Sequence, residues 1–92
     1  MTRITNRNLE LVVKLINKAT GNNPAPYTTT DGKLRANIGN YHIDGAYGGV
    51  ALDQMANEGG GVRDVFSCGH VPKRELYNRM TAYLEGIRCH VG

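Results

Sequence analysis

The residues in this sequence able to act as nucleophile, base or metal ligand in combination are His42, Asp44, Cys68, His70, Cys89 and His90. His42 and Asp44 are two residues apart, which places both on one face of a strand, where a carboxylate can orient an imidazole. Cys68 precedes His70 by two residues, and a thiol beside a histidine base is the minimal nucleophilic pair. Neither pair is framed by a motif that would support such chemistry. The chain has no nucleophile elbow, no phosphate-binding G-x-x-x-x-G-K and no dinucleotide fingerprint, and Gly59-Gly60-Gly61 precedes a strand pattern rather than a helix. The Cys68/His70 and Cys89/His90 pairs, with His42, are zinc-type donors. They fall at opposite ends of a predicted helix and lack the short paired spacing of structural zinc sites. The expectation is a protein that is not an enzyme and carries no metal or cofactor. At a rise of about 1.5 Å per residue that helix separates the two cysteines by roughly 20 to 25 Å, too far for a disulfide, and two free thiols fit a reducing cytosol.

The elements that must position these residues belong to a chain of 92 residues, read as one domain spanning 1–92. A domain of this size buries roughly 60 to 65% of its unfolded surface, enough for one modest core. Eleven Lys and Arg against eight Asp and Glu give a net charge of +3. That surplus suits nucleic acid or an acidic protein surface, and equally a scatter of solvated charge. No apolar run approaches the ~18 residues of a membrane span, and the opening MTRITNRNLE lacks the apolar stretch of a secretory signal, so a cytosolic setting is expected.

Along the chain, Leu9, Val12, Val13, Ile16 and Ala19 recur at intervals of three and four, the stripe of an amphipathic helix, with Thr5 as its cap and Gly21 as its stop. Pro24 and Pro26 open an extended segment, PYTTT, that ends in the hairpin dipeptide Asp31-Gly32. In LRANIGNYHID, Leu34, Ala36 and Ile38 alternate with polar residues, and a bulge at Gly39-Asn40 would carry Tyr41 and Ile43 inward. The stretch from Gly39 to His70 is dense in glycine. Within it VALDQMANE reads as a third strand, and VRDVFS, after the triple glycine, as a short fourth one at the edge. Tyr41 and Tyr47 fall in the apolar phase, which predicts burial. Pro72 then introduces a final helix with Leu76, Met80, Tyr83, Leu84 and Ile87 on one face. The predicted fold is α+β: an N-terminal helix, a three- to four-stranded antiparallel sheet and a C-terminal helix, both helices packed on one sheet face. The other face is expected to be polar, rich in glycine and open to a partner.

The strings GNYHIDGAYGG, NEGGGV and GHVPKRELYNRM, together with the helical opening NLELVVKLINKATG, give the chain a resemblance, over nearly its whole length, to a family of small phage-encoded proteins. That family includes anti-CRISPR proteins of type I-F systems. The resemblance implies a protein of the host cytoplasm that binds the Cas proteins of the type I-F surveillance complex, touching its crRNA or not, and blocks target DNA binding. No small-molecule substrate and no membrane are implied.

Such a partner displays a basic DNA channel and a guide RNA. Physical reasoning assigns Arg35, Arg63, Lys73, Arg74 and Arg79 to RNA phosphates, and Asp31, Asp44, Asp53, Glu58 and Asp64 to the Lys and Arg that normally hold DNA. An exposed Tyr41 or Tyr47 would stack on an unpaired base. The alternative is a stand-alone RNA-binding module. A helix, a meander and a last helix opening on Lys73-Arg74 is also the arrangement of double-stranded-RNA-binding domains, although the acidic residues in the loops oppose phosphate.

Overall fold

Thr5 begins the first element. In the computed structural model, which describes residues 3–91, its hydroxyl accepts the Asn8 N–H at 3.4 Å while Asn8 Oδ1 accepts the Thr5 N–H at 2.9 Å. This reciprocal box satisfies two donors that the helix itself cannot. Helix α1 runs Asn6–Thr20 and stops at Gly21, whose φ of 73° is left-handed. The Gly21 and Asn22 N–H groups turn back to the Lys18 and Asn17 carbonyls at 3.3 and 2.9 Å. Leu9, Val12, Val13 and Ile16 are buried as their spacing predicts. Ala19 is exposed, and the buried position near this end is Asn17, because the last turns of α1 lie against the edge of a strand and not over an apolar face.

Strands β1 (Tyr27–Thr30) and β2 (Lys33–Ala36) pair through the Asp31-Gly32 turn, where both residues have positive φ, 52° and 74°. That combination matches the right-handed twist of the flanking strands. The expected bulge follows. Gly39, at φ 93°, donates its N–H to the Met55 carbonyl, and the Met55 N–H donates to Asn40, so two residues face one. The bend is larger than a kink. β3 (Tyr41–Ala46) leaves the first hairpin altogether and pairs with β4 (Gly49–Met55), which in turn pairs with β5 (Val62–Asp64). The strands therefore form a two-stranded sheet and a separate three-stranded one in the order β3-β4-β5, where a single sheet was expected. The α+β element order stands.

Helix α2 (Lys73–Val91) completes the chain. α1 packs on β3, α2 on β4, and the helices pack on each other. Tyr41, Ile43, Val50 and Leu52 share one sheet face by register and join Leu9, Ile16, Leu76, Met80 and Leu84 in one core. Each fully buried aliphatic side chain there contributes about 1.5 to 3 kcal/mol relative to exposure. The opposite face departs from expectation at its centre: Ala51, Asp53 and Met55 are buried as well. β4 has a neighbour on each edge, and the loop before α2 crosses over it at Gly49, where an added Cβ would sit 3.0 Å from the Val71 carbonyl oxygen.

Candidate functional site

The outer face of the three-stranded sheet, turned away from the helices, gathers the residues with chemistry. Register places His42 opposite Asp53 and Asp53 opposite Asp64, a row across all three strands, with Asp44 one step along β3 opposite Ala51. The loop after β5 supplies the rest. Asp64 Oδ1 accepts the Phe66 and Ser67 N–H groups at 3.2 and 3.1 Å, and Oδ2 accepts the Gly69 N–H at 2.8 Å. One carboxylate thus shapes the loop, whose Ser67 and Gly69 both have positive φ, and that loop carries His70 over β4. Val71 bonds to Val50 on the edge of β4 opposite β3, so His70 has to reach across β4 to meet Asp44, its Nε2 lying 2.8 Å from Asp44 Oδ2. Gly49 and Ala51 leave room for this crossing.

Tyr47 stands at the tip. It is the first residue of the two-residue turn joining β3 and β4, with φ 54° followed by Gly48 at 74°, and it is 97% exposed. The burial predicted for it fails because the strand ends one residue earlier, at Ala46, so Tyr47 falls in the turn and not in the apolar phase. Its ring meets the His70 ring edge to face, centroids 5.7 Å apart. A tyrosine in the left-handed region is uncommon and costs energy that a turn glycine or asparagine would not. Tyr41, by contrast, is buried, and its hydroxyl lies 2.7 Å from that of Tyr83.

The electrostatics of this face centre on Asp53, which is 9% exposed. Burial pushes its carboxyl above the usual range, the Asp44 and Asp64 charges push the same way, and His42 and His70 oppose them. The pairing anticipated between His42 and Asp44 is not made. Asp44 holds His70, and His42 Nδ1 instead lies 3.2 Å from Asn40 Oδ1. Cys68 directs its thiol to the Gly69 carbonyl at 3.7 Å, with no hydrogen bond to His70 among the described residues. Both cysteines are free thiols. No group of three His, Cys, Asp or Glu among the described residues is placed to hold a metal ion; the side chain of His90 lies outside them.

The other sequence-derived site residues are dispersed. Asp31 lies in the β1–β2 turn, and Glu58, in the loop before β5, is 3.9 Å from Arg35. Arg63 donates to Gln54 Oε1 at 2.9 Å, and Arg79 bonds Glu75 one turn earlier at 3.1 Å. Lys73 and Arg74 open α2, Lys73 lining an open groove of about 600 Å³ floored by Ile43, Gly45 and Val50. The structure therefore brings Asp44, Asp53 and Asp64 together and divides the cations among β2 (Arg35), β5 (Arg63) and α2 (Lys73, Arg74 and Arg79). Sequence reading missed the contact of Tyr47 with His70 and the His70–Asp44 bond. The one available signal was Tyr47-Gly48, a residue followed by glycine between two strand patterns. No family model, curated protein or solved structure matches the chain. No helix among the described residues is long and apolar enough to cross a membrane.

Proposed function

We propose that the chain is a phage-encoded inhibitor that works stoichiometrically in the host cytoplasm, docking its acidic outer face and Tyr47 tip on a basic surface of the type I-F Cas-crRNA surveillance complex and keeping target DNA out. The observation that carries docking is the placement of Asp44, a half-exposed carboxylate of the outer face, beside a turn tyrosine that is 97% exposed and packs on the His70 that Asp44 holds. An exposed aromatic buried on association supplies much of the binding energy of an interface, and carboxylates around it select a basic partner and speed encounter. The lysines and arginines that normally hold DNA phosphates are such a partner. The choice of target rests on the family resemblance. The reading is of a binder and not an enzyme: it calls for no turnover, cofactor or small-molecule substrate.

Affinity capture of the tagged protein from a host carrying that system, followed by a target-DNA binding assay on the captured complex, tests the proposal. Capture of Cas proteins that no longer bind DNA is expected. Failure to capture the complex, or a captured complex that binds DNA normally, overturns it. Recovery of bulk structured RNA without Cas proteins would favour the stand-alone RNA-binding reading, for which Lys73 and Arg74 at the start of α2 supply cations but the outer-face carboxylates oppose phosphate.

A further inference from the structure

We infer that the free edge of β3, from Ile43 to Ala46, takes up an extended peptide segment of a partner protein as an added antiparallel strand. In an antiparallel ladder the outward backbone groups recur every second residue. On β3 they belong to Tyr41, Ile43 and Gly45, because Ala46 and Gly49 close the two-residue turn and Asn40 and Met55 bond at the other end. The first of the three is already taken: the Asn17 side chain accepts the Tyr41 N–H at 2.8 Å and donates to its carbonyl at 2.9 Å, as one residue of a neighbouring strand would. The N–H and C=O of Ile43 and Gly45 have no partner among the described residues. Space lies beside them. The groove of about 600 Å³ runs past Ile43, Gly45 and Ala46 to Glu10 of α1 and Lys73 of α2, and an added Cβ on Gly45 would meet nothing closer than 3.9 Å.

Charge selects the occupant. A residue opposite Asp44 lies on the outer face, where Asp44 Oδ1 has no partner among the described residues and Asp53 lies on the neighbouring strand, so a Lys or Arg is matched there. Residues opposite Ile43 and Gly45 point into the groove, where Ile43 and Val50 match a small apolar side chain and Asn6, Glu10 and Lys73 complete the lining. A second copy of this chain fits poorly. The two-fold register that bonds both Ile43 and Gly45 sets Asp44 against its own copy, and like charges directly opposite repel. A register centred on Ile43 would place Gly45 opposite Tyr41, whose groups Asn17 holds. This site does not depend on the identity of the partner proposed above, since it is read from backbone groups and charge alone.

The test is an NMR titration of the isotopically labelled full chain with a capped Thr-Val-Lys-Val-Thr peptide. The Ile43 and Gly45 amides are expected to shift and to exchange more slowly with solvent. A peptide with Glu in place of Lys is expected to bind roughly tenfold more weakly, and one methylated on both Val nitrogens to give no protection. Gly45→Pro, which removes one outward N–H at an edge where proline is tolerated, abolishes the response; if that variant does not fold, the methylated peptide tests the same ladder from the other side. Unchanged Ile43 and Gly45 amides up to millimolar peptide, or an equal response to the methylated peptide, would overturn the inference. So would protection of those amides that grows with protein concentration alone, since a second copy would then occupy the edge. None of these outcomes bears on capture of the surveillance complex.

Discussion

The Asn17 amide bonds both backbone groups of Tyr41 from the neighbouring helix, with distances of 2.8 and 2.9 Å, and is 1% exposed. Asn17→Ala leaves a buried N–H and a buried C=O without partners, each costing about 1 to 3 kcal/mol, so a loss of about 2 to 6 kcal/mol is expected in urea unfolding. Asn17→Asp still accepts the N–H but sets a carboxylate oxygen against the carbonyl. It is expected to be unstable at neutral pH and to recover on acidification, when the protonated acid can donate.

Tyr41 and Tyr83 share a hydrogen bond inside the core. Burial first, and then the hydrogen bond and charge of Tyr83, push the Tyr41 phenol up to about 12. The folded state therefore favours the neutral phenol. The associated stability is present below the unfolded value of about 10 and is lost as pH rises from there toward 12. Alkaline unfolding, followed with the ultraviolet absorbance of the phenolates, should show one tyrosine that ionises only as the fold is lost. Tyr83→Phe leaves the Tyr41 hydroxyl alone and costs about 1 kcal/mol.

Asp53 carries a carboxyl raised by burial and by its acidic neighbours. Between its unfolded and folded values the native state binds the extra proton, so stability falls as pH rises through that window. Asp53→Asn removes this dependence. The variant is expected to exceed the parent in stability at neutral pH, with the gain shrinking toward pH ~4, in urea titrations across that range.

Tyr47→Asn puts a residue tolerant of left-handed φ at the turn. A gain of up to about 1 kcal/mol in thermal unfolding is expected, because the strain at this position is relieved. The same variant is expected to lose capture of the surveillance complex. Unchanged capture would remove Tyr47 from the docking surface.

The Asp44–His70 pair is partly exposed on both sides, 49% and 22% by side chain. A double-mutant cycle with Asp44→Ala and His70→Ala is expected to give a coupling of only about 0.5 to 1 kcal/mol. Hydrogen exchange should place its effect in the loop from Val65 to Val71, which the pair fastens over β4.

What the sequence determined by itself is local. The interval of hydrophobic residues set both helices, Thr5 and Gly21 set the ends of the first, and Asp31-Gly32 set a hairpin, because each signal acts within a few residues through backbone geometry and capping bonds. Gly39 was legible as a bulge for the same reason. How far the chain turns there was not, since that depends on where β3 finds its partner, and pairing with β4 rather than with the first hairpin divides the sheet.

The candidate site was legible only as a list of acids. Periodicity assigned Asp44 and Asp53 to a polar phase, but it could not show that Asp64 would be consumed by its own loop, that Asp53 would be covered, or that His70 would reach across β4 to Asp44. The Asp64 loop bonds span only two to five residues but need a backbone path that periodicity does not encode, and the other contacts join residues 11 to 26 positions apart, as from Asp53 to Asp64 and from Asp44 to His70. Tertiary structure alone decided them. The free energy of a carboxylate depends on which charges and dipoles surround it, and for these aspartates the neighbouring strand and loop supply them.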